Sequence, residues 1–207
     1  VLYDNYKYAE GTKTNWGFSC LIEGDNASIL FDTGTNPKTL FKNIESLNAD
    51  LSKLKHVFIS HNHYDHTGGL IEIMKKYKGI TVFVTESFPE KSIEKYKNLG
   101  AKIVKTGKAK EIFKDVYTTG EMGSTIKEQS LIFNTEKGAI VVTGCSHQGI
   151  TNILDLTKHR INSKIHFVFG GFHLLRHKKE EIDEIVEEFK EIGVEKCGAH
   201  IVQEQLL

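Results

Sequence analysis

Three histidines and one aspartate fall within the six consecutive residues 61–66, which read His-Asn-His-Tyr-Asp-His. An apolar, β-branched run precedes them and a glycine pair follows. Alternate residues of a tight loop can point to one side, so His61 and His63 can bind one ion while Asp65 and His66 bind a second. Neutral imidazole nitrogens and an ionised carboxylate suit zinc, iron or manganese. The spacing therefore predicts a transition-metal site in this stretch.

The residues around the cluster predict how it is positioned. A strand that ends at Ser60 would place the cluster at the carboxyl end of that strand, with a helix directly after it. The same arrangement recurs in the second half, where the apolar run 139–143 leads through Gly-Cys-Ser to His147 and a helix is expected from about Gly149. This repeated strand–loop–helix pattern predicts His147 as a third ligand of the first ion. Cys145 could also ligate a soft metal.

Strand-like and helical patterns alternate along the rest of the chain, which from periodicity alone indicates an α/β or α+β fold. Strands are predicted over 1–3, 17–23, 28–31, 56–60, 80–84, 101–105, 111–117, 130–134, 139–143, 165–169 and 194–197. Helices are predicted after Asn36-Pro37, near Gly69, after a capping box formed by Ser87 and Glu90, near Gly149 and from about Ile182 to Gly193. The segment 118–129 has no clear periodicity and is predicted as a loop that could cover the site.

Composition narrows the class of protein. The 207 residues carry 27 Lys+Arg and 27 Asp+Glu, and this balance gives no reason to expect a nucleic-acid or anionic-membrane partner. Arg160 and Arg176 are the only arginines, so a phosphate group would be held by metal, lysine or backbone. The three cysteines form no C-x-x-C pair, and neither a signal peptide nor an apolar run long enough to span a membrane is evident. A cytoplasmic protein is therefore expected.

The motif His61-x-His63-x-Asp65-His66 resembles the signature of the metallo-β-lactamase superfamily. The stretches 31–34 (Phe-Asp-Thr-Gly), 143–150 (Thr-Gly-Cys-Ser-His-Gln-Gly-Ile) and 170–174 (Gly-Gly-Phe-His-Leu) resemble one branch of it. That branch is described as β-lactamase-superfamily-II metal-dependent hydrolases and includes proteins similar to a dihydropterin–ribofuranosylaminobenzene phosphate synthase. The matches run from residue 1 to about residue 200. The resemblance implies one domain over 1–207, folded as a four-layer αββα sandwich of two mixed β-sheets with flanking helices.

The resemblance also implies a set of site residues. The first ion would be held by His61, His63 and His147, and the second by Asp65, His66 and His200. Asp32 would orient a ligand histidine by hydrogen bonding to its ring. Many superfamily members bridge the two ions with an aspartate after the fourth strand, but here the corresponding stretch contains no acid. His173 would occupy or neighbour that position and is therefore also predicted as a metal ligand. Asp65 and His173 are predicted as the catalytic residues. The branch usually continues past its last histidine with Cys-Thr-Gly, whereas this chain reads Ile-Val-Gln.

The expected chemistry follows from the ions. Metal-bound water titrates near neutrality, which makes hydroxide available for hydrolysis of a phosphodiester or another small ester. One or two zinc ions are expected, with iron or manganese as alternatives. The expected partner is a small-molecule substrate, and whether it carries a phosphate group is left open. Two other functions remain open: a metal-dependent pterin-type synthase that catalyses a condensation, and a non-enzymatic metal-binding module on this fold. Homo-oligomerisation is also left open.

Overall fold

The computed structural model describes residues 1–7, 9–24 and 27–200, and the chain divides into two units. The first unit is Val1–Thr106 and the second begins at Gly107. Each unit contains one mixed β-sheet with helices that connect its parallel strands. The single domain over 1–207 stays a prediction. Among the described residues, no helix combines the length and the apolar character that a membrane span requires.

The first unit is built around a five-stranded sheet with the order β1-β2-β3-β4-β5. Its strands are β1 (Cys20–Glu23), β2 (Ser28–Phe31), β3 (Leu54–Phe58), β4 (Thr81–Thr85) and β5 (Lys102–Thr106). Its helices are α1 (Pro37–Ser46), α2 (Tyr64–Thr67), α3 (Leu70–Lys76) and α4 (Glu90–Asn98). Strand β1 pairs antiparallel with β2, and all later pairs are parallel. The carboxyl ends of β2, β3 and β4 therefore lie at one edge of the sheet, where α/β folds place their chemistry.

Helix α1 shows how local sequence sets these connections. The side chain of Asn36 caps the helix, accepting hydrogen bonds from the amides of Lys38 (2.9 Å) and Thr39 (3.3 Å), and Pro37 occupies the first helical position. Leu40 and Ile44 follow at helical spacing and are buried in the core. The core of this unit also contains Val57, Ile59, Leu70, Ile73, Val82 and Val84. Packing on the sheet thus anchors the helix that links β2 to β3.

The second unit is built around a six-stranded sheet with the order β6-β7-β8-β9-β10-β11. Its strands are β6 (Lys108–Phe113), β7 (Val116–Gly120), β8 (Leu131–Thr135), β9 (Gly138–Thr143), β10 (Ile165–Gly171) and β11 (Cys197–His200). Its helices are α5 (Ile150–Ile161) and α6 (Lys179–Ile192). Strands β9, β10 and β11 are parallel, and the other pairs are antiparallel. Ile132, Val141, Ile153, Leu154 and Val168 form the centre of its core.

Several predicted boundaries were wrong, each for a local reason. The strand over 111–117 is two strands, because Asp115 takes a left-handed conformation (φ 60°) and turns the chain. The helix predicted after Ser87 and Glu90 begins at Glu90 itself, directly after Pro89, so Glu90 is the first helical residue and not the third, which a capping box would require. A single isolated bridge between Tyr3 and Ser19 takes the place of the predicted first strand.

The end of the second sheet also differs from prediction. The strand predicted over 194–197 instead runs from Cys197 to His200. Gly193 ends α6 in a left-handed conformation (φ 86°), and the amide of Val194 still bonds to Phe189 of the helix. The partly buried side chain of Val194 packs against the core of the second unit. The predicted turn at 25–26 and the residues after 200 lie outside the described part of the chain.

Candidate metal centre

The carboxyl edge of the first sheet carries the predicted cluster. Phe31 of β2 pairs with Phe58 of β3, so the residues after the two strands continue side by side. Asp32 follows β2, and Ser60 and His61 follow β3. Parallel pairing of two strands whose sequences lie far apart therefore brings a carboxylate to the start of the histidine loop.

Asp32 is fully buried and contacts three groups on two residues, Ser60 and His66. Its Oδ1 accepts from the backbone amide of Ser60 (2.8 Å), and its Oδ2 accepts from the Ser60 hydroxyl (2.7 Å). The same Oδ2 lies 2.6 Å from Nδ1 of His66. Burial raises the pKa of the Asp32 carboxyl above its ordinary value, although the charge and hydrogen bonds of His66 and the bonds from Ser60 favour the ionised form. A carboxylate that accepts from Nδ1–H leaves the lone pair of His66 on Nε2.

Ser60 belongs to the same hydrogen-bond network and was not predicted as a site residue. Its hydroxyl donates to Asp32 and lies 2.9 Å from Nδ1 of His61. A hydroxyl whose proton is donated to the carboxylate accepts from the His61 ring, which leaves the His61 lone pair on Nε2 as well. One buried carboxylate thus orients two imidazoles, one directly and one through Ser60. The available signal was a hydroxyl residue at the strand end directly before the first histidine.

The predicted ligand atoms of the loop lie close together. Nε2 of His61 and Nδ1 of His63 are 3.0 Å apart, and Nε2 of His66 lies 3.4 Å from Oδ2 of Asp65. Tetrahedral zinc with Zn–N bonds of about 2.0–2.1 Å places two ligand nitrogens about 3.3 Å apart. Two imidazole nitrogens this close repel unless a proton or a cation lies between them, so this donor set fits a metal ion.

The short helix α2 positions the second pair of donors. It contains Asp65 and His66, both buried, and it was not predicted from the sequence. Burial raises the pKa of Asp65, but the hydrogen bond and the charge of His66 outweigh it, so the net pKa is below the ordinary value. Gly17 (φ 124°) lies against the backbone of Asp65, and a Cβ at that position would come 2.1 Å from the Asp65 carbonyl oxygen. Asp65 is therefore ionised at neutral pH. Its carboxylate contacts His66, and its backbone lies against Gly17.

The second unit carries the other predicted residues. His147 follows β9 and His173 follows β10, and their ring centroids are 4.6 Å apart. Both lie along a cavity of about 510 Å³ that is also lined by residues 123–126 and Gln148. Part of the segment predicted as a covering loop, 118–129, thus borders these histidines. The buried thiol of Cys145 lies in the loop that leads to His147.

A close backbone approach explains the glycine pair before His173. Gly170 adopts φ 125°, and a Cβ there would come 2.0 Å from the carbonyl oxygen of Thr143. The amide of Gly171 donates to the carbonyl of Gly144 (2.9 Å). The glycines therefore let the end of β10 lie directly against the loop that carries His147.

The five remaining histidines lie in different surroundings. His200 is the last residue of β11, opposite Gly171, and its ring packs edge-on against Phe169. His56 is the middle residue of β3 and lies away from the cluster, and burial lowers its pKa. His166 pairs with Glu195 at 2.7 Å. His159 is exposed on α5 and His177 precedes α6, and neither is placed in the clusters described above.

Comparison with known proteins agrees with this architecture. The sequence model of the metallo-beta-lactamase superfamily matches residues 17–144, more than half of the chain. A 7,8-dihydropterin-6-methyl-4-(beta-D-ribofuranosyl)-aminobenzene-5'-phosphate synthase from Methanocaldococcus jannaschii is 30% identical over 234 aligned positions, covering 89% of this chain and 80% of that protein.

Solved structures show the same fold. A metal-dependent hydrolase of the beta-lactamase superfamily superposes with a TM-score of 0.81 at 30% identity, covering 99% of this chain and 88% of the other. A metallo-beta-lactamase fold protein from Bacillus subtilis gives 0.68 at 13% identity, over 100% and 85% of the two chains, and supports the fold alone. The predicted fold class, two mixed sheets flanked by helices, is confirmed. The chain belongs to the metallo-beta-lactamase superfamily, a superfamily of metal-dependent enzymes.

Proposed function

We propose that this protein is a metal-dependent hydrolase that acts on a phosphodiester or on another small ester. The observation that carries the proposal is the convergence of His61 and His63, whose ring nitrogens lie 3.0 Å apart beyond the carboxyl end of β3, a parallel strand of the first sheet. A relative described as a metal-dependent hydrolase, at a TM-score of 0.81, supports the same reaction class. Membership of the superfamily supplies the metal dependence but does not fix the substrate.

Two sets of ligands are proposed. The first ion is held by His61, His63 and His147, and the second by Asp65, His66 and His200. Zinc suits this mixture of imidazole and carboxylate, with iron or manganese as alternatives. When bound, such an ion acts as a Lewis acid that polarises the substrate oxygen and makes water acidic enough to react near neutral pH.

The chain's own side chains have separate roles in this proposal. Asp32 and Ser60 fix the ring orientation of His66 and His61. The lowered pKa of Asp65 keeps its carboxylate ionised, so it can bind a cation or accept a proton. His173 borders the cavity of about 510 Å³, a volume that accommodates a small molecule, and is assigned to substrate contact there. A phosphorylated substrate fits the phosphate in the name of the M. jannaschii relative.

A second candidate is a pterin-type synthase. The relative from M. jannaschii, 30% identical over 89% of this chain, is named as a synthase whose product contains pterin and aminobenzene phosphate groups. Here the metal centre would assist departure of a leaving group during condensation with an amine. The same ligands serve both reactions, so only the acceptor, water or amine, distinguishes them.

Metal analysis tests the shared part of both candidates. Protein purified without added metal is expected to retain one or two equivalents of a transition metal by mass spectrometry. His63→Ala should contain less metal than wild type, whereas His159→Ala, at an exposed position on α5, should keep the wild-type metal content. Equal metal content in the two variants would reject the proposed centre.

Substrate assays then separate the candidates. The hydrolase predicts release of product from bis(p-nitrophenyl) phosphate, from a lactone or from a thioester, in wild type and His159→Ala but not in His63→Ala. The synthase predicts a condensation product, seen by mass spectrometry, from a dihydropterin diphosphate and an arylamine phosphate. Absence of hydrolysis with formation of the condensation product would replace the first candidate by the second.

A further inference from the structure

A buried carboxylate in the second unit has no part in the ligand set. Glu128 lies just before β8, and its backbone forms an isolated antiparallel bridge with Met122, with N–O distances of 2.8 and 3.0 Å. The residue is completely buried. Carboxylates are rarely buried without partners that compensate for the lost hydration, so its contacts indicate what it does.

The carboxylate of Glu128 accepts hydrogen bonds from three consecutive backbone amides. Oε1 accepts from the amides of Cys145 (2.7 Å) and Ser146 (3.0 Å), and Oε2 accepts from the amide of His147 (2.9 Å). Successive amides that point to one place form an anion-binding concavity. Here the anion is a side chain of the same unit, so the concavity is occupied from within the fold.

The loop that Glu128 binds is conformationally strained. Ser146 adopts φ 61°, a left-handed conformation that is unfavourable for a non-glycine residue. Its hydroxyl lies 2.9 Å from that of Thr143 and donates to the carbonyl of Gly171 (2.6 Å). Such a conformation persists only where its surroundings determine it, and the charge-assisted bonds to Glu128 are the strongest of these contacts.

We propose that Glu128 is the positioning residue for His147: it fixes the backbone of residues 145–147 and thereby the direction in which the His147 ring enters the metal centre. The inference rests on the proposed role of His147 as a ligand. It assigns to the segment 121–128 a second task besides lining the cavity. A ring held by its backbone is placed before the metal binds, so binding does not have to supply the ordering free energy.

The choice of variants follows from hydrogen-bond geometry. Glu128→Gln keeps the size of the side chain but offers one oxygen, and its NH2 group would face a backbone N–H. Glu128→Asp keeps both oxygens and the charge on a side chain shorter by one methylene. Glu136→Gln removes a carboxylate from the exposed turn between β8 and β9 and serves as the matched control.

Two measurements decide the proposal. The first is the affinity for Co²⁺ and Zn²⁺ by competition with a chelator, with the visible spectrum of bound Co²⁺ as a report on coordination. The second is amide hydrogen exchange of residues 145–147 without metal, with far-UV circular dichroism as a check on folding. Glu128→Gln should lower metal affinity about 10–100-fold, alter the Co²⁺ spectrum and accelerate exchange of these amides. Glu128→Asp should show a smaller loss, and Glu136→Gln none.

Contrary outcomes are distinguishable. Glu128→Gln could lose amide protection but still bind metal within about twofold of wild type, with an unchanged Co²⁺ spectrum. In that case Glu128 only stabilises the fold. If Glu128→Gln does not fold, Glu128→Asp is judged by the same criteria. If His147→Ala binds metal as tightly as wild type, the ligand assignment is wrong and the metal part of this inference falls with it. The exchange result would still show, independently, whether Glu128 holds the loop.

Discussion

The two units position their histidines in different ways. In the first unit, the buried carboxylate of Asp32 contacts an imidazole directly and a second one through the Ser60 hydroxyl. In the second unit, the buried carboxylate of Glu128 binds three backbone amides and contacts the His147 residue at its main chain. Both are fully buried acids beside a histidine loop at the carboxyl end of parallel strands.

This difference shows two separate requirements of a metal centre. A histidine within a dense cluster already lies near its neighbours, so what has to be fixed is the tautomer and the ring rotation. His147 is separated from the end of β9 by a turn in which Ser146 adopts a left-handed conformation. For this histidine, therefore, the backbone conformation of the turn has to be fixed. Side-chain contacts supply the first and backbone contacts supply the second.

The largest expected effect acts on a feature that both clusters share, a close backbone approach at a glycine. In Gly17→Ala and Gly170→Ala the new Cβ would come 2.1 and 2.0 Å from carbonyl oxygens, at φ values of 124° and 125°. Each should lower the free energy of unfolding by about 3 kcal/mol or more, measured by urea denaturation. Gly79→Ala is the control, because its φ is 70° but its Cβ would meet no described atom within 4 Å. A loss of only about 1 kcal/mol in all three would contradict the role of the contact.

The next effect separates the two modes of positioning. Both carboxylate oxygens of Asp32 accept hydrogen bonds, from Ser60 and from the His66 ring. Asp32→Asn replaces one of these oxygens by an NH2 group, so at least one of the hydrogen bonds is lost. We expect metal affinity to fall about 100-fold and the His66 Nδ1–H signal to change in the NMR spectrum. Asp50→Asn, at an exposed position, should leave both unchanged. An unaltered affinity in Asp32→Asn would show that the ligands are oriented without the carboxylate.

Ser60→Ala tests the indirect half of the same network. The variant keeps the amide bond to Asp32 but removes the hydroxyl between Asp32 and His61. Metal affinity should fall about tenfold, less than in Asp32→Asn, and stability by about 1 kcal/mol. Ser46→Ala, which removes an exposed hydroxyl bonded to a backbone carbonyl, is the matched control. Equal losses in the two serine variants would argue against a link from Asp32 to His61.

The smallest effect contrasts these buried acids with an exposed one. Hydrogen bonds from Lys164 and His166 lower the pKa of Glu195 to about 2 from the ordinary 4.5. Between these values the unfolded chain binds more protons, so the stabilisation is present above about pH 4.5 and is lost as the pH falls toward 2. In Glu195→Gln the melting temperature should depend less on pH between 3 and 6 than in wild type or Glu136→Gln. An unchanged slope would show that the surface ion pairs contribute nothing measurable.

Much of the fold and of the donor set follows from local sequence. The Asn36-Pro37 cap, the apolar strands and the cluster at 61–66 were all predicted near their observed positions. The boundaries that failed depended on single turns, such as the left-handed Asp115 that divides one predicted strand into two. Helix α2 escaped prediction because four residues are too few to show a helical period.

The histidine and aspartate spacing along the chain was sufficient to predict metal chemistry, because donors within six residues of one loop have little freedom to separate. It could not reveal Ser60 as a link between a carboxylate and a ring, nor Glu128 as a partner of the His147 loop. Those contacts join residues from 1 to 34 positions apart in the first unit and from 17 to 19 positions apart in the second. Strand register and turn conformation set them, and both arise only when the sheets assemble.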